Sequence, residues 1–338
     1  MVNMNRGLTI SILILVGLSI ITLSIYYIHN EQHSQQYFHC SDRGSFLIKG
    51  KDPVALVDSY LVLEDQFGRI SVLDLKANRT VNVSFNSSAN PDIWGFVDYN
   101  GSILVGVCKP GSIDFVDLFT GRAIHKLVGL YSSVDQCIGA HPIWAGENYY
   151  AFYGPSSLLN IDPVDSLLTG EGKDVATASF KLVETHRGKE VDLSGVLVSN
   201  GTVYTVYGSA FDSLLYIKAY SLQGNKLLYT DQLKMPGNIT YAGFIYREGS
   251  KPLLWVLYYT NGEDSLTYYL AVYKLVRGSS SLVCRTELNN TLIVYPLSEN
   301  FRDIDGDGAP DIILALTNQL EGTPNTEEVN IKWLELKG

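Results

Sequence analysis

The sequence predicts an all-β fold, a β-propeller of about six four-stranded blades that is closed by the N-terminal strand and preceded by one transmembrane helix. Three observations lead to this prediction. Residues 8–28 form an apolar run, one pattern occurs twice at an offset of 43 residues, and strands of alternating apolar and polar residues recur up to the C-terminus. Composition agrees, because 22 Tyr, 30 Gly and only 18% charged residues suit half-buried strands joined by turns.

The apolar run at residues 8–28 carries no charge, and its length of about 21 residues matches a hydrocarbon core of roughly 30 Å. Arg6 precedes the run and no Lys or Arg directly follows it, so the positive-inside rule places residues 1–7 in the cytoplasm. An uncleaved signal anchor is the favoured interpretation, with a cleaved secretory signal as an alternative. Arg6-Gly7 before the apolar run also resembles an archaeal class III (prepilin-type) signal, and that resemblance implies processing after Gly7.

The expected organisation is a cytoplasmic segment at 1–7, a transmembrane helix at 8–28, a stalk at 29–43 and a propeller ectodomain at 44–338. The chain is thus predicted to be a single-pass cell-membrane protein whose C-terminal domain is extracellular. A net charge of −10 argues against nucleic acid as a partner, because phosphates require a basic face. Seven N-x-S/T sequons fall on the predicted outer side and favour a glycosylated surface chain, at Asn78, Asn82, Asn86, Asn100, Asn200, Asn238 and Asn289.

The repeat that sets the fold is the pattern Gly-x-Ile-x-x-x-Asp-Leu-x-x-Asn/Gly-Arg, found at 68–79 and again at 111–122. Weaker copies, in which an alternating strand ends in a polar residue before Leu or Pro, occur at Asp162-Pro163, Ser221-Leu222, Lys274-Leu275 and Glu335-Leu336. A spacing of 43 to about 60 residues without helical periodicity fits one propeller blade per repeat. The two clear copies resemble quinoprotein-type propeller repeats, in which this strand is the third of its blade and the outermost strand follows.

The ends of the chain predict how the ring closes. The last copy of the third strand runs to Leu336, almost at the C-terminus, and an unassigned strand at 45–49 precedes the first blade. Pairing these two strands completes the last blade and removes an open sheet edge.

Four cysteines lie on the predicted outer side, where an oxidising compartment favours disulfides. Three pairings are possible. Cys108 with Cys137 is preferred because they fall on neighbouring blades, which leaves Cys40 with Cys284, and buried free thiols are the alternative.

One motif points to specific chemistry. The segment 303–311 places carboxylates at its positions 1, 3, 5 and 9 and Gly at position 6, a spacing that gathers oxygen ligands around a hard cation. The predicted ligands of a structural Ca²⁺ are Asp303, Asp305, Asp307, Asp311 and the backbone carbonyl of Ala309. Leu314 at position 12 excludes an EF-hand, and the residues that follow indicate a buried strand. The motif resembles the Ca²⁺ loops of FG-GAP and VCBS repeats in integrin α-type propellers, which implies that it joins the first two strands of a blade.

These observations favour a membrane-anchored binding, adhesion or envelope scaffold module whose partner is an unknown surface protein or glycan. An extracellular filament component of the type IV pilin-like kind is an alternative that rests on Arg6-Gly7. A second alternative is a propeller enzyme acting on glycans or quinone-linked substrates, but no catalytic motif accompanies the repeat. The sequence therefore leans against an enzyme and nominates no catalytic residue.

Overall fold

The computed structural model describes residues 39–90, 92–138, 140–154, 158–169, 177–186, 189–209, 213–262, 266–276, 279–289, 293–317 and 328–337. The predicted transmembrane helix, the stalk up to residue 38 and Arg6-Gly7 lie outside these residues. None of the helices within the described ranges is long and apolar enough to cross a membrane.

The described residues form six sheets that follow one another along the chain as the blades of a β-propeller, and within each blade the strands pair antiparallel apart from one short added strand. Strand β1 (His39–Lys49) comes first and belongs to the last blade. Blade 1 contains β2 (Lys51–Val57), β3 (Tyr60–Asp65), β4 (Ile70–Asp74) and β5 (Arg79–Val81). Blade 2 contains β6 (Ile93–Tyr99), β7 (Ser102–Lys109), β8 (Ser112–Asp117) and β9 (Ala123–Val128). Blade 3 contains β10 (Ile143–Trp144), β11 (Tyr149–Tyr153), β12 (Leu158–Pro163) and β13 (Ala178–Lys181).

The remaining blades follow the same order with small additions. Blade 4 consists of β14 (Val183–His186), β15 (Lys189–Ser199), β16 (Thr202–Gly208), β17 (Leu214–Ser221) and β18 (Leu227–Lys234), with β14 as an extra strand beside β15. Blade 5 consists of β19 (Asn238–Ile245), β20 (Leu253–Asn261), β21 (Leu266–Val276) and β22 (Ser279–Asn289). Blade 6 consists of β23 (Ile293–Pro296), β25 (Asp311–Thr317), β26 (Glu328–Lys337) and β1, while the short β24 (Asn300–Phe301) pairs with β19 of blade 5. Short helices are α1 (Val134–Ile138), α2 (Val164–Thr169) and a 3-10 turn at Ser87–Ala89.

The repeated pattern is confirmed as the third strand of a blade and the turn after it. In blade 2 the carboxylate of Asp117 accepts hydrogen bonds from the backbone N–H groups of Phe119 and Thr120. Gly121 then adopts a φ of 69°, which a residue without a Cβ tolerates. The weaker copies are third strands too, in β12, β17, β21 and β26. The clear copies of the pattern thus mark blades 1 and 2, in which the third strand reaches the outer strand through a short turn.

The ring closes as the sequence predicts, because β1 pairs antiparallel with β26 over nearly its whole length. The strand begins at His39 rather than at the predicted residue 45, and so includes the last part of the predicted stalk. Polar contacts explain the extension: Asp42 pairs with Lys332, and Arg43 pairs with Glu335.

Apolar residues of neighbouring blades pack together to form the core. Trp94 of blade 2 lies edge-on to Phe152 of blade 3, with ring centroids 6.1 Å apart, and both side chains are fully buried. Further clusters join blade 1 to blade 2 and blades 5 and 6 to blade 1. The alternating strands therefore bury their apolar faces against the next blade, which removes those faces from water.

Candidate metal site and the centre of the ring

The acidic motif lies between β23 and β25, the first two strands of blade 6, which is the position expected from its sequence. The two carboxylate oxygens of Asp303 accept hydrogen bonds from the N–H groups of Gly306 and Gly308, each at 2.7 Å. The N–H of Asp307 donates to Asp305 at 3.1 Å. Both glycines have positive φ, 83° and 91°, which lets the loop turn tightly around the first aspartate.

Three of the five predicted ligands converge in this loop. One carboxylate oxygen from each of Asp303, Asp305 and Asp311 lies within 4.8 Å of the others. Oxygens that share one Ca²⁺ at about 2.3 to 2.6 Å are at most about 5 Å apart, so this cluster fits a calcium ion. Asp311 is fully buried and accepts hydrogen bonds from the indole N–H of Trp333 at 2.6 Å and the N–H of Ile304 at 2.8 Å. Burial raises the pKa of Asp311 to about 6.

The other two predicted ligands are placed differently. Asp307 turns one oxygen to the guanidinium of Arg43 at 2.5 Å, and its second oxygen accepts the N–H of Ala309 at 2.9 Å. Ala309 therefore takes part in the described hydrogen bonds through its N–H. The cluster of converging carboxylates consists of Asp303, Asp305 and Asp311 alone among the described residues.

Arg43 is a member of the site that the motif did not reveal. Its guanidinium forms ion pairs with Asp305, Asp307 and Glu335, and it lies 5.7 Å from the centre of the Trp333 ring. The Glu335 side chain is only 1% exposed. Burial alone would raise the pKa of Glu335, but hydrogen bonds from Arg43 and Lys337 outweigh it and lower the pKa to about 2. The predicted pairing of the first and last strands was the one feature of the sequence from which the position of Arg43 beside this loop could have been inferred.

Both preferred disulfides are confirmed. Cys40 on β1 is joined to Cys284 on β22, so the bond links the outer strands of blades 6 and 5 across 244 residues of sequence. Cys108 on β7 is joined to Cys137 in α1, 29 residues away. We call the Arg43 ion pairs with Asp305, Asp307 and Glu335, together with the Cys40–Cys284 bond, the seam.

The segment 297–302, which we call the hub, crosses the centre of the ring. The side-chain amide of Asn300 donates to the carbonyls of Trp144 in blade 3 at 2.7 Å and Val196 in blade 4 at 2.8 Å. Its oxygen accepts the N–H of Phe244 in blade 5 at 3.3 Å. One buried side chain therefore satisfies backbone groups of three blades.

Arg302 extends the hub to the remaining blades. Its guanidinium forms ion pairs with Asp58 of blade 1 at 3.0 Å and Asp98 of blade 2 at 3.3 Å, and it lies over the Trp144 ring at 4.5 Å. Gly243 of blade 5 approaches the hub so closely that a Cβ there would collide with the carbonyl oxygen of Glu299. The hub therefore packs closely against blade 5, and Asn300 also bonds it to blade 4.

On the opposite side of the hub a cavity of about 580 Å³ remains. The innermost strands of blades 1, 2 and 3 form one wall and residues 297–304 form the other. Apolar side chains such as Leu56, Ile93 and Phe96 line it together with the carboxylates of Glu64 and Glu299. Sequence reasoning missed both the hub and the cavity, because their residues come from blades far apart in the chain.

The fold and the closing pattern define the class of this chain as a six-bladed β-propeller. No family model matches the sequence, and no curated protein matches it. Among solved structures the chain is similar to BamB from Moraxella catarrhalis, at 8% identity and a TM-score of 0.39, over 87% of this chain and 99% of that one. A second is a complex of KlAtg21 with the coiled-coil of AgAtg16, at 13% identity and a TM-score of 0.39, over 71% of each chain. Both similarities are remote, and the six-bladed assignment rests on the strand pairings.

Proposed function

We propose that this chain is a membrane-anchored, extracytoplasmic β-propeller that acts as a binding or envelope scaffold module and carries one structural Ca²⁺ site. The observation that carries the proposal is a ring whose closing strand β1 is fastened by the Cys40–Cys284 disulfide. Disulfides persist in oxidising compartments, which supports a location outside the cytoplasm. The closing strand begins at His39, within the stalk predicted at 29–43, so only about ten residues separate the ring from the predicted anchor at 8–28.

Two polar side chains at the centre of the ring connect its blades, as expected of a scaffold. Asn300 and Arg302 are held by backbone carbonyls, carboxylates and an aromatic ring of other blades. Their partners give these two residues a structural role.

The acidic loop supports the calcium part of the proposal. Asp303, Asp305 and Asp311 supply three converging oxygens, and bound Ca²⁺ would offset the mutual repulsion of these carboxylates. The loop also lies beside β1 through Arg43, so an ion here would stabilise the blade in which the ring closes. The role expected for the ion is structural.

Location is tested by fractionating cells that produce the full chain. We expect the protein in the membrane pellet after carbonate extraction, and we expect protease added to intact cells to digest the propeller. A protein released by carbonate, or protected from the protease, would contradict the proposal. Sequencing of the native N-terminus separates the anchor from the prepilin-type alternative, because processing after Gly7 gives a chain that starts at Leu8.

Calcium binding is tested by thermal unfolding of the full chain in excess chelator and then with added CaCl₂ or MgCl₂. Ca²⁺ at about 100 times its dissociation constant stabilises the folded state by about 2.7 kcal/mol, so the melting temperature rises by a few degrees. We expect Asp303→Asn to abolish this rise, while the matched variant Asp135→Asn, at an exposed position on α1, keeps it. An equal response of both variants to Ca²⁺ would refute the assigned ligand set.

A further inference from the structure

The central cavity contains two acidic side chains that the fold leaves without a partner. Among the residues that the structure describes, no hydrogen-bond donor contacts the carboxylate of Glu299 or that of Glu64. Both side chains are half-buried and line the same cavity. A carboxylate that is partly withdrawn from water and has no donor is less well solvated than an exposed one, so a cation bound beside it would lower its free energy.

The charges nearby do not neutralise these carboxylates. Arg302 is the basic residue of the cavity lining, but its guanidinium is already engaged by Asp58, Asp98 and the Trp144 ring. His141 also lines the cavity and donates its Nδ1–H to the carbonyl of Trp94 at 2.9 Å. The space beside Glu299 and Glu64 is therefore acidic.

The walls and the size of the cavity limit what fits. Val54, Leu56, Ile93 and Phe96 offer apolar surface, and about 580 Å³ falls within the range of roughly 300 to 1,000 Å³ found for small-molecule sites. A ligand that suits this space has an apolar body and one cationic group. An anionic ligand would meet two carboxylates of its own sign.

We propose that the cavity between the hub and the inner strands of blades 1 to 3 binds a small organic amine, whose ammonium group pairs with Glu299 while its apolar body packs against Leu56 and Phe96. Glu299 is the recognition group because no cation of the described residues pairs with its carboxylate, and Glu64 adds to the negative charge of the same cavity. The proposal depends on neither the calcium loop nor the membrane anchor.

The test uses the full chain in a non-ionic detergent at about pH 8, where an aliphatic amine is protonated. Isothermal titration calorimetry compares phenethylamine with phenethyl alcohol, which has nearly the same size and no charge. We expect the amine to bind at least about tenfold more tightly than the alcohol. Equal affinities, or no binding of the amine, would overturn the proposal.

Three variants locate the site. Glu299→Gln is expected to weaken amine binding by at least about tenfold and to leave the alcohol unaffected. The matched variant Glu248→Gln, at an exposed position outside the cavity lining, should bind the amine like the unmodified chain. Val54→Trp should abolish binding of both probes, because Val54 is 42% exposed at the cavity lining and a larger side chain there fills the space.

Two results would contradict the proposal even if one variant failed to fold. Unchanged amine affinity in Glu299→Gln or in Val54→Trp would place the binding elsewhere. A blocked lysine tripeptide that bound more tightly than phenethylamine would overturn the assignment to a free small molecule, because the ammonium group would then come from a protein partner.

Discussion

The seam and the hub each set one arginine among carboxylates, but the chain assembles them in different ways. In the seam, Arg43 meets two aspartates from one short loop and a Glu335 that is 1% exposed. In the hub, Arg302 meets Asp58 and Asp98 from two different blades, and their side chains are 47% and 27% exposed. The seam thus contains one fully buried carboxylate where the first and last strands of the ring meet, whereas both carboxylates of the hub keep contact with water.

This difference matters for stability because the cost of losing an ion partner depends on how far the remaining charge is buried. Breaking the seam takes one cation from a carboxylate that is 1% exposed, whereas breaking the hub leaves two carboxylates that are already partly exposed to water. We therefore expect the seam to carry more of the stability of the ring and the hub to set the arrangement of its blades.

The largest effect is expected from the disulfide of the seam. The Cys40–Cys284 bond closes 244 residues and the Cys108–Cys137 bond closes 29, so loop-closure entropy assigns them about 5 and about 4 kcal/mol. Replacing both cysteines of each pair by serine and measuring urea unfolding should show the larger loss for the seam. A larger loss of unfolding free energy for the double variant Cys108→Ser with Cys137→Ser would contradict the expectation that the seam carries more of the stability.

The next effect separates the two arginines. Arg43→Met should cost about 4 kcal/mol because it leaves Glu335 buried with Lys337 as its remaining cation, and Arg302→Met should cost about 1 kcal/mol. Adding Glu335→Gln to Arg43→Met should restore part of the loss, since it removes the buried charge. Chemical unfolding measures all three variants, and equal costs for the two arginines would refute the distinction.

A pH effect is expected from Glu299 in the hub. Burial raises the pKa of Glu299 to about 7, well above its ordinary value of 4.5. The folded chain therefore holds this proton more tightly than the unfolded chain. The contribution of protonated Glu299 to the free energy of unfolding is fully present below about pH 4.5 and is lost as the pH rises to about 7. The loss reaches about 3 kcal/mol, and Glu299→Gln should abolish it. Unfolding at pH values across this window checks the slope, which should persist in Glu248→Gln.

A smaller effect than those at Arg43 and Glu299 is expected at Asn300. Asn300→Ala removes the partners of two carbonyls and one N–H at the centre of the ring, at a cost of about 2 kcal/mol. Asn300→Asp keeps the acceptor for Phe244 and loses both donors, so we expect it to be no more stable than Asn300→Ala. A neutral Asn300→Ala would show that water replaces the amide and that the hub does not depend on it.

The sequence by itself determined the features that local patterns encode. The third strand of every blade was predicted, because each one alternates apolar and polar residues and ends in a polar residue before Leu or Pro. The pairing of β1 with β26, the position of the acidic loop and both disulfides were predicted as well, because a closed ring leaves few ways to join its ends and its neighbours.

Only the tertiary structure decided which side chains meet at the centre and at the seam. Arg43 lies 262 residues from Asp305, and Asn300 lies 156 residues from Trp144, so no spacing in the sequence reports these contacts. The same holds for Asp307, whose spacing suits a cation while the folded chain turns it to Arg43. The spacing of residues within a loop determines which ligand atoms that loop can offer to a cation. The pairing of distant strands, here β1 with β26, determines which charged side chain from elsewhere in the chain reaches the loop.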